Sequence, residues 1–114
     1  MMKKSVMSAL IVLLVTFSSP SIASENVITA SNILKVCSTP VMNWVDFCNG
    51  FFQAVHDQQS ELGKMCAPDG ITRTNLVEIY EDKAKSAIAT SPSLGEQAAV
   101  VIAGQILSTA FPCN

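Results

Sequence analysis

The sequence predicts an all-α fold, a small four-helix domain with two disulfides. Three observations carry that expectation. Apolar residues recur at the helical period from about residue 31 onward. Glycine, proline and hydroxyl residues cluster between those stretches as breaks. Four cysteines, an even number, sit in a chain of only 114 residues. No internal repeat or low-complexity tract appears.

The first 23 residues read as an address. Lys3 and Lys4 form a positive segment, and Val6 to Phe17 an apolar one. Ser18, Ser19 and Pro20 break it, and Ser21-Ile22-Ala23 places small residues for cleavage after Ala23, as in a signal peptide. An apolar run of about 12 residues is short against the roughly 20 that cross a bilayer. The expected organisation is therefore a signal peptide over 1–23 and a single helical domain over 24–114, exported to the periplasm and free of the membrane once cleaved. With Lys3 and Lys4 removed, five basic side chains face nine acidic ones, a net charge near −4. An acidic surface without a basic cluster argues against nucleic acid or anionic lipid as partner.

Cys37, Cys48, Cys66 and Cys113 all follow the cleavage site. In a small exported chain they read as a disulfide framework, with three pairings open. The favoured pairing joins Cys37 to Cys48, stapling a helical hairpin, and Cys66 to Cys113, tying down the C-terminus. The loop-entropy relation assigns these about 3 and 4 kcal/mol. Zinc is disfavoured, because no C-x-x-C pair is present.

The first helix is short, capped by Thr29 or Ser31, with Ile33, Leu34 and Cys37 on one face. Ser38-Thr39-Pro40 ends it. The second runs from about Val41 to Gln59. Val41, Trp44, Val45, Cys48, Phe52 and Val55 share one face and read as a core stripe. Phe47, Gly50, Phe51 and Ala54 form a second, weaker apolar strip. Burial on two sides follows, either within the monomer or at a homodimer interface made by that strip.

Ser60 to Ile71 reads as a connector through Gly63, Cys66, Pro68 and Gly70. The third helix is capped by Thr72 or Thr74 and extends to about Ala89. It turns Leu76, Ile79, Tyr80, Ala84 and Ala87 inward and sets Glu81 and Lys85 as an i,i+4 pair in solvent. Thr90 to Ser93 is a turn, and Ser93-Leu94-Gly95-Glu96 fits a capping box for the last helix, which reaches about Ala110. Ala99, Val100, Ile102, Ala103, Ile106 and Leu107 make that helix apolar over half its circumference, as a buried core helix.

Chemistry is sparse. His56 is the single histidine. A couple with Cys48 is conceivable, but a disulfide would consume the thiol and nothing orients the ring. Glu78, Glu81 and Asp82 cluster on the outer face of the third helix; they lack the ligand spacing of a calcium site and read as a solvated face. No phosphate loop, dinucleotide fingerprint or nucleophile elbow is present. No catalytic residue, cofactor or metal is assigned, and the chain reads as a binding protein and not an enzyme. Recognition falls to the connectors, above all Thr90, Ser91, Pro92, Ser93, Leu94 and Gly95, since loops on a rigid scaffold often carry it.

Four segments in order carry a resemblance: Asn32-Ile33-Leu34-Lys35-Val36-Cys37, Cys48-Asn49-Gly50-Phe51-Phe52-Gln53-Ala54-Val55, Cys66-Ala67-Pro68-Asp69-Gly70-Ile71-Thr72 and the closing Phe111-Pro112-Cys113. Together they resemble the Tai family, immunity proteins against peptidoglycan amidase effectors of type VI secretion. The family has glycine where this chain has Ala54. The resemblance implies a periplasmic helical protein, commonly a homodimer, that plugs the catalytic groove of a Cys-His amidase. An envelope structural or chaperone-like protein of unknown target is the alternative. A small hydrolase would need His56.

Overall fold

The computed structural model describes residues 27–114. The expected signal peptide over 1–23 and the expected domain start at Ser24 lie outside the described residues. Four α-helices surround one core: α1 Ala30–Cys37, α2 Met42–Glu61, α3 Arg73–Thr90 and α4 Ala99–Ala110, with a short 3-10 helix Pro92–Glu96 before the last. The all-α expectation holds, and so does the favoured pairing. Cys37 bonds Cys48 with Cα atoms 5.7 Å apart, and Cys66 bonds Cys113 at 5.0 Å.

Helix ends follow local chemistry. Thr29 Oγ1 accepts the Asn32 N–H at 3.2 Å and starts α1. The chain leaves α1 where the Ser38 hydroxyl donates to the Leu34 carbonyl at 2.7 Å, two residues before Pro40. Gly63 ends α2 at φ 70°, a conformation a side chain would strain. There Lys64 N–H reaches the Gln59 carbonyl at 2.9 Å and Gly63 N–H the Ser60 carbonyl at 3.0 Å, closing the last carbonyls of the helix. Thr72 and Asn75 cap α3 reciprocally, side chain to backbone, at 3.1 and 3.2 Å.

The start of α4 differs from expectation. Ser93 to Glu96 lie in the 3-10 helix, and α4 begins at Ala99 behind Ala98, with no side-chain cap. Its first donor is satisfied from elsewhere. Thr29 and Ala98 form an isolated antiparallel bridge, in which Ala99 N–H reaches the Ile28 carbonyl at 2.8 Å and Ala30 N–H the Gln97 carbonyl at 2.9 Å. Long-range pairing of backbone thus replaces the local cap.

Tyr80, Phe52, Ile33, Leu76, Leu107, Val55 and Cys48 are the largest fully buried side chains. Each large apolar one contributes about 1.5–3 kcal/mol by leaving water. Val77 joins this core from α3, and Met65 from the connector, both beyond the sequence expectation. Ile79, Ala87 and Ile106 are only half-buried, and Val100 is exposed. Val41, Trp44 and Val45, assigned to the core stripe, are exposed too. At 1.5 Å per residue, the eight residues of α1 span about 12 Å against about 30 Å for the 20 residues of α2. Burial on α2 accordingly begins at Cys48, where the disulfide fixes the end of α1.

Candidate functional site

Two surfaces remain once the core is formed. The first is the leading half of α2. Val41, Met42, Trp44, Val45 and Phe47 are each at least 40% exposed. Clustered exposure of large apolar side chains marks an interaction surface, whereas single ones are ordinary. The patch is also rigidly backed. Trp44 meets Phe47 edge-on at 5.9 Å between ring centroids, Phe47 stacks on Phe51 at 6.2 Å, Phe51 meets Phe52 at 5.1 Å, and Phe52 tilts against Tyr80 at 4.9 Å. An aromatic ladder therefore runs from the surface into the core.

The strip predicted from sequence shares Phe47 with this segment and continues along another side of α2. Phe47, Gly50 and Ala54 are exposed and Phe51 is half-buried. A Cβ built on Gly50 would meet nothing within 4 Å. Burial of α2 on two sides within the monomer, one of the two expectations, is thus not what the fold does. Sequence reasoning placed Val41, Trp44 and Val45 on the wrong side of this division. The Cys37–Cys48 pairing was the signal that could have found them, since it ties the last residue of α1 partway along α2.

The second surface is the turn between α3 and α4. Thr90, Ser91, Pro92 and Ser93 are exposed, Leu94 is half-buried and Gly95 is buried. Gly95 anchors the segment, because a Cβ there would collide with the Ser31 side chain and crowd the Ile88 Cγ2 at 3.3 Å. The structure thus splits the six residues singled out from sequence. Four form an exposed rim, and two form its foundation against α1 and α3.

Beside that rim, a groove of about 660 Å³ opens between α1 and α3. Leu34, Lys35 and Ser38 form one wall, and Glu78, Glu81, Asp82 and Lys85 the other. Partial burial raises the Glu81 pKa above the ordinary carboxylate value, and the neighbouring Glu78 adds to the effect. The expected Glu81–Lys85 pair is absent, and no lysine or arginine pairs with a carboxylate among the described residues.

His56 Nδ1 lies 2.9 Å from Asp57 Oδ1, to which the Gln53 amide also donates at 2.8 Å. The bond from His56, then that from Gln53, lowers the Asp57 pKa. Cys48 is bonded to Cys37, so a Cys48–His56 couple has no thiol to activate. Among the described residues no group of three or more histidine, cysteine or carboxylate side chains could hold a metal ion. No described helix is long and apolar enough to cross a membrane.

Comparison with curated proteins and with solved structures finds no match. The family of Rap1a immunity proteins, by contrast, matches residues 29–113, which takes in all four helices and all four cysteines. An immunity protein acts by binding a protein effector. Exposed surfaces on a rigid, stapled scaffold suit that task. The chain belongs to the Rap1a immunity proteins, a type VI secretion immunity family.

Proposed function

We propose that this chain is a periplasmic immunity protein that binds a peptidoglycan amidase effector of a type VI secretion system and blocks its catalytic groove. The observation that carries the reading is the exposed rim Thr90 to Ser93, held rigid by buried Gly95. A small, stiff projection suits entry into a groove, since a pre-ordered loop loses little entropy on binding. The ordered cysteine, glycine and Phe-Pro-Cys segments that resemble the Tai family supply the amidase as target. Such an inhibitor performs no chemistry of its own, and its oxidised cysteines suit an exported protein.

The exposed face of α2 serves a second copy of the chain in this reading. Trp44 and Phe47 are the aromatic anchors, residue types that dominate interface energies. The open space over Gly50, with the small exposed Ala54 one turn on, lets a partner helix approach closely. Trp44→Glu should shift the chain toward monomer in sedimentation, and so should a bulky residue at Gly50. Unchanged association in both would remove α2 from the interface.

Affinity capture tests the main reading. The oxidised chain from Ser24 to Asn114 is the bait, and bound proteins are identified by mass spectrometry. Recovery of an amidase with catalytic cysteine and histidine, and inhibition of its peptidoglycan cleavage, is the expected result. Ser91→Arg and Ser93→Arg should weaken inhibition and leave thermal stability nearly unchanged. Recovery of general envelope proteins alone would favour the structural or chaperone-like alternative.

A further inference from the structure

The two disulfides occupy unlike environments. Cys37 ends α1 and is half-buried, and Cys48 lies inside α2, where it is only 2% exposed. Cys66 and Cys113 are both exposed and both lie outside helices, one in the connector after α2 and the other in the tail after α4. Beside that second bond, a single backbone hydrogen bond joins the two segments among the described residues, from Cys66 N–H to the Phe111 carbonyl at 2.9 Å. The helices on either side are closed by their own caps. Gly63 and Lys64 finish α2, the Thr72–Asn75 box starts α3, and Phe111 N–H returns to the Leu107 carbonyl at 3.0 Å to finish α4.

We propose that Cys66–Cys113 is a redox clasp, opened by an external dithiol while the four-helix core and Cys37–Cys48 stay intact. One thiolate of the dithiol attacks an exposed sulfur of the pair, forming a mixed disulfide and releasing the other cysteine as a thiolate. The second thiol of the reagent then displaces the first cysteine. The dithiol leaves as a disulfide, and the protein gains two electrons and two protons as two thiols. Attack requires access. Cys66–Cys113 offers two exposed residues in the native state, whereas Cys37–Cys48 offers one half-buried residue and one buried one.

What the clasp controls follows from its neighbours. Met65, next to Cys66, is 2% exposed in the core, and half-buried Phe111 lines one end of an apolar groove of about 680 Å³ between α3 and α4. Ile79, Ile102 and Ile106 line the same groove. Opening the clasp leaves Phe111 held by its helix cap, its packing and the one hydrogen bond from Cys66 N–H, so that part of the groove loosens first.

The test is a titration of the oxidised chain with dithiothreitol under native conditions, quenched by alkylation and mapped by peptide mass spectrometry. Helical circular dichroism and backbone hydrogen exchange are followed on the same samples. Cys66 and Cys113 should be alkylated about tenfold sooner than Cys37 and Cys48, because both members of the first pair are exposed while Cys48 is buried inside a helix. Helical signal should persist, and faster exchange should appear in the connector and the tail. Simultaneous labelling of all four cysteines, earlier labelling of Cys37 and Cys48, or loss of helix in step with Cys66 labelling would each overturn the proposal.

Discussion

Replacing Tyr80 by phenylalanine isolates one hydrogen bond that ties the middle of α3 to the start of α1. The buried Tyr80 hydroxyl on α3 donates to the Ala30 carbonyl at the start of α1, 2.8 Å away across 50 residues of sequence. Tyr80→Phe keeps the ring, and with it the contact to Phe52. Helical geometry gives the Ala30 carbonyl a second donor within α1, so losing the hydroxyl does not leave it orphaned. The cost is then that of one net hydrogen bond, about 1 kcal/mol. In a domain of this size it should lower Tm by about 4–8 °C. Tyr80→Ala, which empties the site, should cost about 3–5 kcal/mol.

The same residue supplies an independent check. Burial pushes the Tyr80 pKa from the ordinary 10.0 up to about 12. A raised folded pKa means that the native state holds the proton more tightly than the unfolded chain. The stability this gives is fully present below the unfolded value and is lost as pH rises through the folded one, here between 10.0 and about 12. Tyr80 is the only tyrosine, so phenolate absorbance reports it alone. The native chain should titrate late, and Tyr80→Phe should lose both the absorbance step and this alkaline loss of stability. A phenylalanine variant as stable as the parent, or a phenolate that forms near 10.0 with helices intact, would refute the buried bond.

Gly95→Ala should destabilise the fold by about 1–3 kcal/mol through overpacking, measured by urea denaturation, and Ser31→Ala in the same chain should recover much of that loss. Glu81→Gln should raise Tm at neutral pH, because the raised Glu81 pKa makes its contribution full below the ordinary 4.5 and lost as pH rises through the folded value. The gain over the parent should vanish in acid. Replacing Cys37 and Cys48 together by alanine should cost about 3 kcal/mol from the closed loop alone, read from the denaturant midpoint.

Much of this architecture was legible residue by residue. The Thr29 and Thr72 caps, the Gly63 break and the inward faces of α1 and α3 depend on interactions within four or so positions, which spacing along the chain reports. The start of α4 was not legible, because its first donor is met by Ile28, some 70 residues earlier, and a capping box read locally at Ser93 to Glu96 has no knowledge of that strand-like contact. Met65 was hidden for a similar reason. A connector rich in glycine and proline reads as surface, and only its position between α2, the C-terminal staple and the core buries one of its side chains.

The candidate surfaces divide in the same way. By itself the sequence determined the helix count, the disulfide framework, the exposed character of Thr90 to Ser93 and the two apolar strips of α2, since composition and period carry all of these. It did not determine how far each strip is covered. Periodicity says which side chains share a face, and whether that face meets a neighbour depends on how long the neighbour is and where it is tied. The tertiary structure decided this by fixing the short α1 to Cys48, which leaves Val41, Trp44, Val45 and Phe47 beyond its reach. It decided equally that Gly95 is a foundation for the rim, because the Ser31 side chain of α1 and the Ile88 side chain of α3 close over it and leave no room for a Cβ.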